Sequence, residues 1–305
     1  MKLIVQPDAG LMPVISAIKQ ARKTVDIVIF RLDREEVTRA LEAAVARGVV
    51  VRALIAHTNR GGDKALRKLE QRLLEKGVAV SRTADDLVRY HGKMLIVDNR
   101  TLQLFGFNFT ALDINKSRSF GVTTRNRTLV QEAAKLFEAD LTRQPYVPSC
   151  ERLIVSPENA RERLTALLKQ ARKQLLIYDP KVGDRSMLHL LSEQTRRGVE
   201  VKIIGKLGGR QSDLAAEKYP GRRLHVRAIL FDGRRAFLGS QSLRTLELDK
   251  RREIGVLINE RNVVKQLQAV FDQDWTQTDA GLRAGKDGEK SDRPERKDAS
   301  AGAHA

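Results

Sequence analysis

Cysteine and long apolar runs are both nearly missing from this 305-residue chain. The single cysteine, Cys150, excludes an intramolecular disulfide and any metal site built from clustered cysteines. No apolar run reaches the roughly 18 residues that a membrane-spanning helix needs. The opening segment, MKLIVQPDAG, lacks the apolar core of a secretory signal. We therefore expect a cytoplasmic protein that binds peripherally where it meets an anionic membrane surface.

Positive charge is plentiful. The chain has 56 Lys and Arg against 38 Asp and Glu, a formal net charge of +18. Residues 279–305 contain six basic and six acidic residues, so the excess lies in residues 1–278. Such an excess favours polyanionic partners, namely phospholipid or another phosphodiester, an anionic membrane surface, or nucleic acid. The sequence indicates no obligate protein partner.

The chain is internally duplicated. LIVQPDAG begins at Leu3 and LIVSPENA at Leu153, an offset of 150 positions. The segment KQARK occurs at the same offset, in 19–23 and 169–173. Later in the chain the second copy is shorter, and an offset of 134 pairs His91 with His225. We therefore predict two repeats, 1–148 and 149–278, followed by a tail at 279–305.

Each repeat alternates amphipathic helices with apolar strands. In the first copy, strands are predicted at 25–30, 49–55, 94–97 and 101–105, and a charged helix at 67–76. A second helical stripe contains Val37, Leu41 and Ala44 and is predicted to stop at Gly48. This alternation predicts an α/β sheet covered on both faces. The tail has no aromatic residue, Val or Ile and a single Leu, so we predict that it is disordered.

The same chemical pattern occurs once in each repeat. The first copy reads YHGKMLIVDNRTLQLFGFNFT and the second reads LHVRAILFDGRRAFLGSQSLR. Each has a histidine, a cation two residues later and an aspartate five residues after the cation. Because side chains alternate along a strand, His91 and Lys93 share one face, as do His225 and Arg227. Each copy therefore presents one imidazole beside one positive charge.

This pattern resembles the phospholipase D superfamily, whose signature is His-x-Lys-x4-Asp followed by a small-residue turn and Asn. The first copy fits with His91, Lys93, Asp98 and Asn108, although Phe105-Gly106 replaces the usual Gly-Ser turn. The resemblance covers residues 1–278. It implies two pseudo-twofold-related α/β/α sandwich domains, each a mixed sheet flanked by helices, with the active cleft between them.

The second copy departs further from that signature. It keeps His225, Asp232 and the Gly239-Ser240 turn, but has Arg227 for Lys and Ser242 for Asn. The segment LELDKRREIGVLI resembles the part of the family that supplies a supporting carboxylate, here Glu253. The aligned residue of the first copy is Ser119. We therefore predict that this carboxylate is present only once.

By this resemblance, His91 would form a phosphohistidine intermediate, and His225 would protonate the leaving oxygen. Glu253 would orient one imidazole. The resemblance implies that no metal and no cofactor is needed, because side chains supply the positive charge. The predicted oxygen-binding side chains are Lys93, Arg227, Asn108, Ser240 and Ser242. Asp98 and Asp232 follow apolar strands, and we predict structural or supporting roles for them.

The favoured function is metal-independent phosphodiester hydrolysis or transfer on a phospholipid. A nuclease of the same superfamily is one alternative, because DNA and anionic lipids are both polyanions. A catalytically degenerate module that binds nucleic acid or anionic lipid is the other. The sequence leaves open the substrate, the choice between hydrolysis and transfer, and whether the half with Arg227 and Ser242 is fully catalytic.

Overall fold

The first repeat forms a mixed sheet with helices on both faces in a computed structural model that describes residues 1–58, 64–209 and 213–291. Its strands are β1 (Lys2–Gln6), β2 (Thr24–Ile29), β3 (Val50–Ile55), β4 (Ala79–Arg82), β5 (Arg89–Tyr90), β6 (Met94–Val97), β7 (Thr101–Phe105) and β8 (Ser117–Thr124). Its helices are α1 (Met12–Gln20), α2 (Glu35–Ala46), α3 (Lys64–Glu75), α4 (Ala111–Asn115) and α5 (Arg127–Thr142).

The second repeat follows the same order of elements. Its strands are β9 (Leu153–Ser156), β10 (Gln174–Val182), β11 (Glu200–Leu207), β12 (Ala216–Glu217), β13 (Arg223–Leu224), β14 (Ala228–Phe231), β15 (Arg235–Gly239) and β16 (Arg251–Ile258). Its helices are α6 (Ala160–Gln170), α7 (Arg185–Arg196), α8 (Thr245–Asp249) and α9 (Arg261–Thr276), and α10 (Asp279–Ser291) comes after the repeat.

Both sheets are mixed, which confirms the predicted fold class. The first has the strand order β1-β8-β7-β6-β2-β3-β4, and the second has β12-β11-β10-β14-β15-β16 with β9 beside β16. In each sheet the strands that alternate with helices are parallel, β2 with β3 and β10 with β11. The hairpins β6–β7 and β14–β15 are antiparallel. Each of these hairpins begins just after a motif histidine.

The two repeats exchange short strands. β5 of the first repeat pairs in parallel with β16 of the second, and β13 of the second pairs in parallel with β8 of the first. Both pairings involve two residues, and each short strand ends immediately before a motif histidine. The exchange is therefore what fixes each histidine against the opposite repeat.

A shared apolar core joins the repeats. Phe120 of β8 packs edge-on against Tyr178 of β10, with ring centroids 5.4 Å apart, and Tyr178 packs on Phe271 of α9 at 4.9 Å. All three side chains are at most 1% exposed. Burial of aromatic surface on this scale contributes several kcal/mol. Separate cores on the outer face of each sheet hold α1 and α2 in one repeat, and α6 and α7 in the other.

The helix ends follow the glycines. α2 buries Val37, Leu41 and Ala44, as predicted, and the chain leaves it through Gly48 at φ +80°. Gly198 ends α7 in the same way at φ +85°. Glycine adopts this left-handed conformation without the steric penalty that a Cβ adds.

The start of the tail differs from the prediction of disorder. Residues 279–291 form α10. The hydroxyl of Thr278 accepts a hydrogen bond from Gly281 N–H, and Glu217 accepts one from Ala280 N–H. A capping hydroxyl of this kind stabilises a helix start by about 1 kcal/mol, an effect that composition does not reveal. Residues 292–305 of the predicted tail lie outside the described residues. In the described part of the chain, no helix is long and apolar enough to cross a membrane.

Candidate active site

The exchanged strands bring both motif histidines to the junction of the repeats. The backbone N–H of His91 donates to the carbonyl of Arg252 in β16 at 2.7 Å. The N–H of His225 donates to the carbonyl of Arg118 in β8 at 3.0 Å. Arg118 and Arg252 are themselves related by the repeat offset of 134 positions. The two histidines therefore occupy equivalent positions on a pseudo-twofold junction.

His91 contacts a carboxylate of the opposite repeat. Its Nδ1 lies 2.9 Å from Oε2 of Glu253, which is fully buried on β16. The ammonium of Lys93 lies 3.0 and 3.1 Å from the two ring nitrogens. The ring of Phe30, at the end of β2, packs edge-on against the imidazole at 4.5 Å. These contacts hold the imidazole plane and orient Nδ1 toward Glu253.

His225 also has a carboxylate of the opposite repeat, and the sequence analysis missed it. Nδ1 of His225 lies 3.3 Å from Oδ2 of Asp113 on α4. The same Oδ2 accepts hydrogen bonds from Asn108 N–H and from its Nδ2, each at 2.8 Å. Arg223 donates to Oδ1 at 2.5 Å. Three donors therefore fix the buried Asp113 beside His225.

The carboxylate at the Glu253 position is present in the second copy only, as predicted, but Asp113 gives His225 a carboxylate contact from a different position. Alignment of the repeats pairs Glu253 with Ser119, and the Ser119 hydroxyl donates instead to the carbonyl of His225 at 3.3 Å. Alignment pairs Asp113 with Glu247, which contacts Arg244 and Arg251 and, within the described residues, no histidine. Repeat alignment therefore carries no signal for Asp113, because the two carboxylates reach their histidines from non-equivalent positions.

Arg227 takes the place that Lys93 has in the other half. Its Nε donates to the hydroxyl of Ser242 at 3.3 Å, and Nη1 donates to the carbonyl of His225 at 3.4 Å. Burial lowers the pKa of Arg227, but arginine starts so high that the guanidinium stays protonated. Arg227 therefore supplies a permanent positive charge to the junction.

The electrostatics of the junction favour neutral imidazoles. Burial is the main cause that lowers the pKa of His91, and the nearby charges of Lys93 and Arg227 lower it further. Burial is also the main cause that lowers the pKa of His225, followed by the charges of Arg227 and then Lys93. Burial also lowers the pKa of Lys93 to about 7, against the opposing effect of Glu253. Because the same cations act on both imidazoles, the two histidines share one positive environment in which added negative charge is favoured.

The three predicted substrate-binding side chains lie at this junction but hold protein groups. Nδ2 of Asn108 donates to Asp113. The hydroxyl of Ser240 accepts the N–H of Ile254, next to Glu253. The hydroxyl of Ser242 accepts from Arg227. These contacts position the charged groups, and contact with substrate remains a prediction for all three.

The two motif aspartates tie loops to strands. Oδ1 and Oδ2 of Asp98 accept the backbone N–H groups of residues 22, 23 and 24, and Asp232 accepts those of residues 172, 173 and 174. Burial alone would raise the pKa of each carboxyl, but these donors outweigh it and lower the pKa. Both aspartates have positive φ, 54° and 53°. The structure thus gives them the same role of fixing a turn away from the histidines.

A duplicated α/β sandwich with a histidine and a cation from each copy at the junction is the architecture of phosphodiester-processing proteins of the phospholipase D type. The profile of the family described as "Cardiolipin synthase, PLD-like domain" matches residues 14–141 and 164–275. These two segments cover most of the chain, which therefore belongs to that family, within the phospholipase D superfamily, as the motifs predicted.

Solved structures show the same fold at low sequence identity. Phosphatidylserine synthase from Haemophilus influenzae Rd KW20 superposes with a TM-score of 0.68 and 13% identity, over 91% of this chain and 86% of that one. Polyphosphate kinase from Porphyromonas gingivalis superposes with a TM-score of 0.75 and 18% identity, over 90% of this chain. The chain spans about half the length of that kinase, 50%. No curated protein matches the sequence.

Proposed function

We propose that this protein transfers a phosphatidyl group from a phospholipid to water or to an acceptor alcohol, through a covalent intermediate on His91. The observation that carries the proposal is the pairing of each motif histidine with a buried carboxylate of the opposite repeat, His91 with Glu253 and His225 with Asp113. One site thus contains two oriented imidazoles and two cations. The family description and the likeness to a phosphatidylserine synthase support a phospholipid as substrate.

The two imidazoles divide the reaction. With its Nδ1 proton directed at Glu253, His91 has a lone pair on Nε2 that attacks phosphorus. The bond from phosphorus to the leaving oxygen breaks, and His225 donates its proton to that oxygen, which leaves as an alcohol. In the second half, His225 takes the proton of water or an acceptor alcohol. The new oxygen bonds to phosphorus, and the bond to His91 breaks.

The cations of the site couple substrate binding to protonation. A neutral His91 is required for attack, and its lowered pKa supplies that form. His225 must carry a proton, although burial and the neighbouring cations lower its pKa. A bound phosphodiester brings one negative charge among Lys93 and Arg227, which raises the pKa of His225. Substrate binding thereby favours the protonated acid.

A substrate panel tests the proposed reaction. Purified protein is incubated with EDTA and with phosphatidylglycerol vesicles, plasmid DNA or bis(p-nitrophenyl) phosphate. We expect release of a soluble alcohol or exchange of headgroups on the vesicles, with EDTA present. Cleavage of plasmid DNA without action on lipid would identify the nuclease instead. Salt-sensitive binding without turnover would identify the binding module, and activity restored by a divalent metal would contradict the side-chain mechanism.

Single alanine variants test how the histidines divide the reaction. His225→Ala is expected to lose about 100-fold or more on an alkyl ester and much less on an aryl ester, whose leaving group needs no proton. His91→Ala is expected to lose both activities. His189→Ala, an exposed histidine outside the site, is the control. Acid-labile phosphorylation is expected on His91 and should accumulate in His225→Ala; an adduct on His225 would reverse the two roles.

A further inference from the structure

A cationic groove lies at the far end of the first repeat from the histidines. It has a volume of about 630 Å³ and is bordered by Lys2, Arg22, Arg100 and Arg125. Asp98 at its edge follows β6, whereas Lys93 precedes that strand. Five residues of strand at about 3.3 Å each place the groove about 16 Å from the active-site lysine. The groove is therefore separate from the site at the junction.

The floor of the groove is polar where a core is expected. Gln103 of β7 and Thr123 of β8 line it, and Nε2 of Gln103 donates to the Thr123 hydroxyl at 3.1 Å. Gln103 is 3% exposed, and its Oε1 is buried without a hydrogen-bond partner. A buried amide oxygen without a partner costs about 1–3 kcal/mol. Gln103 therefore destabilises this end of the sheet relative to an apolar side chain that would pack there.

The second repeat supplies an internal comparison. The repeat offset pairs Gln103 with Phe237, Thr123 with Leu257 and Ala17 with Leu167. Those three apolar residues are at most 5% exposed and belong to the core of the second repeat. The position that is a polar groove in one copy is thus packed core in the other. This polar lining is therefore a feature of the first copy rather than of the fold.

Arg100 is close enough to the Asp98 carboxyl to help lower its pKa, whereas the other three cations around the groove are uncompensated. Among the described residues, no ion pair involves the side chains of Lys2, Arg22 or Arg125, and the carboxylate of Asp98 is occupied by backbone N–H groups. In the second repeat, Arg152, the counterpart of Lys2, is instead paired with Glu260 at 2.8 Å. Four cations around a concave polar surface favour an anion with several negative charges.

We propose that this groove binds a phosphorylated polyol of sugar-phosphate size. The cations would bind its phosphate groups, and Gln103, Thr123 and their polar neighbours would bind its hydroxyls. The volume falls within the range of small-molecule sites. No aromatic side chain lines the groove, so it offers no stacking surface for a nucleobase. The groove is a second binding site, about 16 Å from the reacting centre by strand length.

Calorimetric titration with fructose 1,6-bisphosphate tests the proposal, with fructose and inorganic phosphate as partial probes. The titration is done with wild type and with the Lys93→Ala variant, so that binding at the active site is distinguished from binding at the groove. We expect binding to persist in that variant. Arg22→Ala and Arg125→Ala should each weaken it by about tenfold or more, because a hydrogen bond to a charged group contributes at least that much.

The duplication provides matched controls. Arg172→Ala removes the exposed counterpart of Arg22 beside a filled core and should leave binding unchanged. Gln103→Phe with Thr123→Leu copies the second repeat and should abolish binding while the far-ultraviolet circular dichroism stays native. The proposal is overturned if wild type does not bind the bisphosphate, if binding survives loss of both Arg22 and Arg125, or if Lys93→Ala abolishes it. Displacement of the probe by a short DNA duplex at lower concentration would show that the surface binds a nucleic-acid backbone instead.

Discussion

The buried ammonium of Lys93 gives a measurable link between pH and stability. Lys93 is 2% exposed, and burial lowers its pKa from 10.5 to about 7. Between these two values the unfolded chain holds a proton on this side chain that the folded chain has lost. The free energy of unfolding therefore rises with pH across this window, by about 1.4 kcal/mol per pH unit from this group alone. Below pH 7 the full cost of burying the charge is present.

Urea denaturation at pH 7, 8 and 9 checks this reasoning. Groups other than Lys93 also titrate, so the diagnostic quantity is the difference in the free energy of unfolding between wild type and Lys93→Met. The Lys93→Met variant should lack the rise with pH that Lys93 contributes. Over two pH units this difference is expected to change by about 2–3 kcal/mol. Lys206→Met, at an exposed lysine, should follow wild type. Parallel pH profiles for wild type and Lys93→Met would refute the lowered pKa of the buried Lys93.

Three further predictions concern the carboxylates and the tail. Glu253→Gln should lower kcat by about 100-fold or more on alkyl and aryl esters alike, because Glu253 acts through the attacking His91. Glu247 is equally buried but has no histidine contact among the described residues, so Glu247→Gln should leave kcat nearly unchanged. Equal losses in the two variants would contradict the pairing of Glu253 with His91. Asp113→Asn should slow alkyl esters more than aryl esters, as measured by the ratio of the two rates, because it acts through His225. Deletion of 292–305, which contain no aromatic, Val, Ile or Leu residue, should shift Tm by less than about 2 °C; a larger shift in a thermal scan would show that they stabilise the body.

The central strands could be predicted because both of their faces are buried. Strands β6 and β7 have the predicted bounds, 94–97 and 101–105, since a sheet covered on both sides requires continuous apolar runs. β2 begins and ends one residue earlier than predicted, and β3 begins one residue later. The repeat offsets then located the second copy's elements. The same physical requirement, burial, thus determined both the pattern and the structure.

Short contacts between the repeats could not be predicted. The exchanged strands β5 and β13 have two residues each, which is too short for any periodicity to appear. Asp113 reaches His225 only because β13 is docked on β8 and brings Arg223 and His225 over α4. The motif alone showed that two histidines share a face with two cations. Which carboxylate orients which imidazole depends on this docking.

The exchange makes each half of the site depend on the other repeat. His91 takes its backbone anchor from Arg252 and its carboxylate from Glu253, both on β16. His225 takes its anchor from Arg118 on β8 and its carboxylate from Asp113. Neither repeat therefore contains a complete oriented imidazole. Because the two carboxylates come from different elements, the halves differ in chemistry although their backbones are equivalent, and such a difference is what an attacking base and a proton donor require.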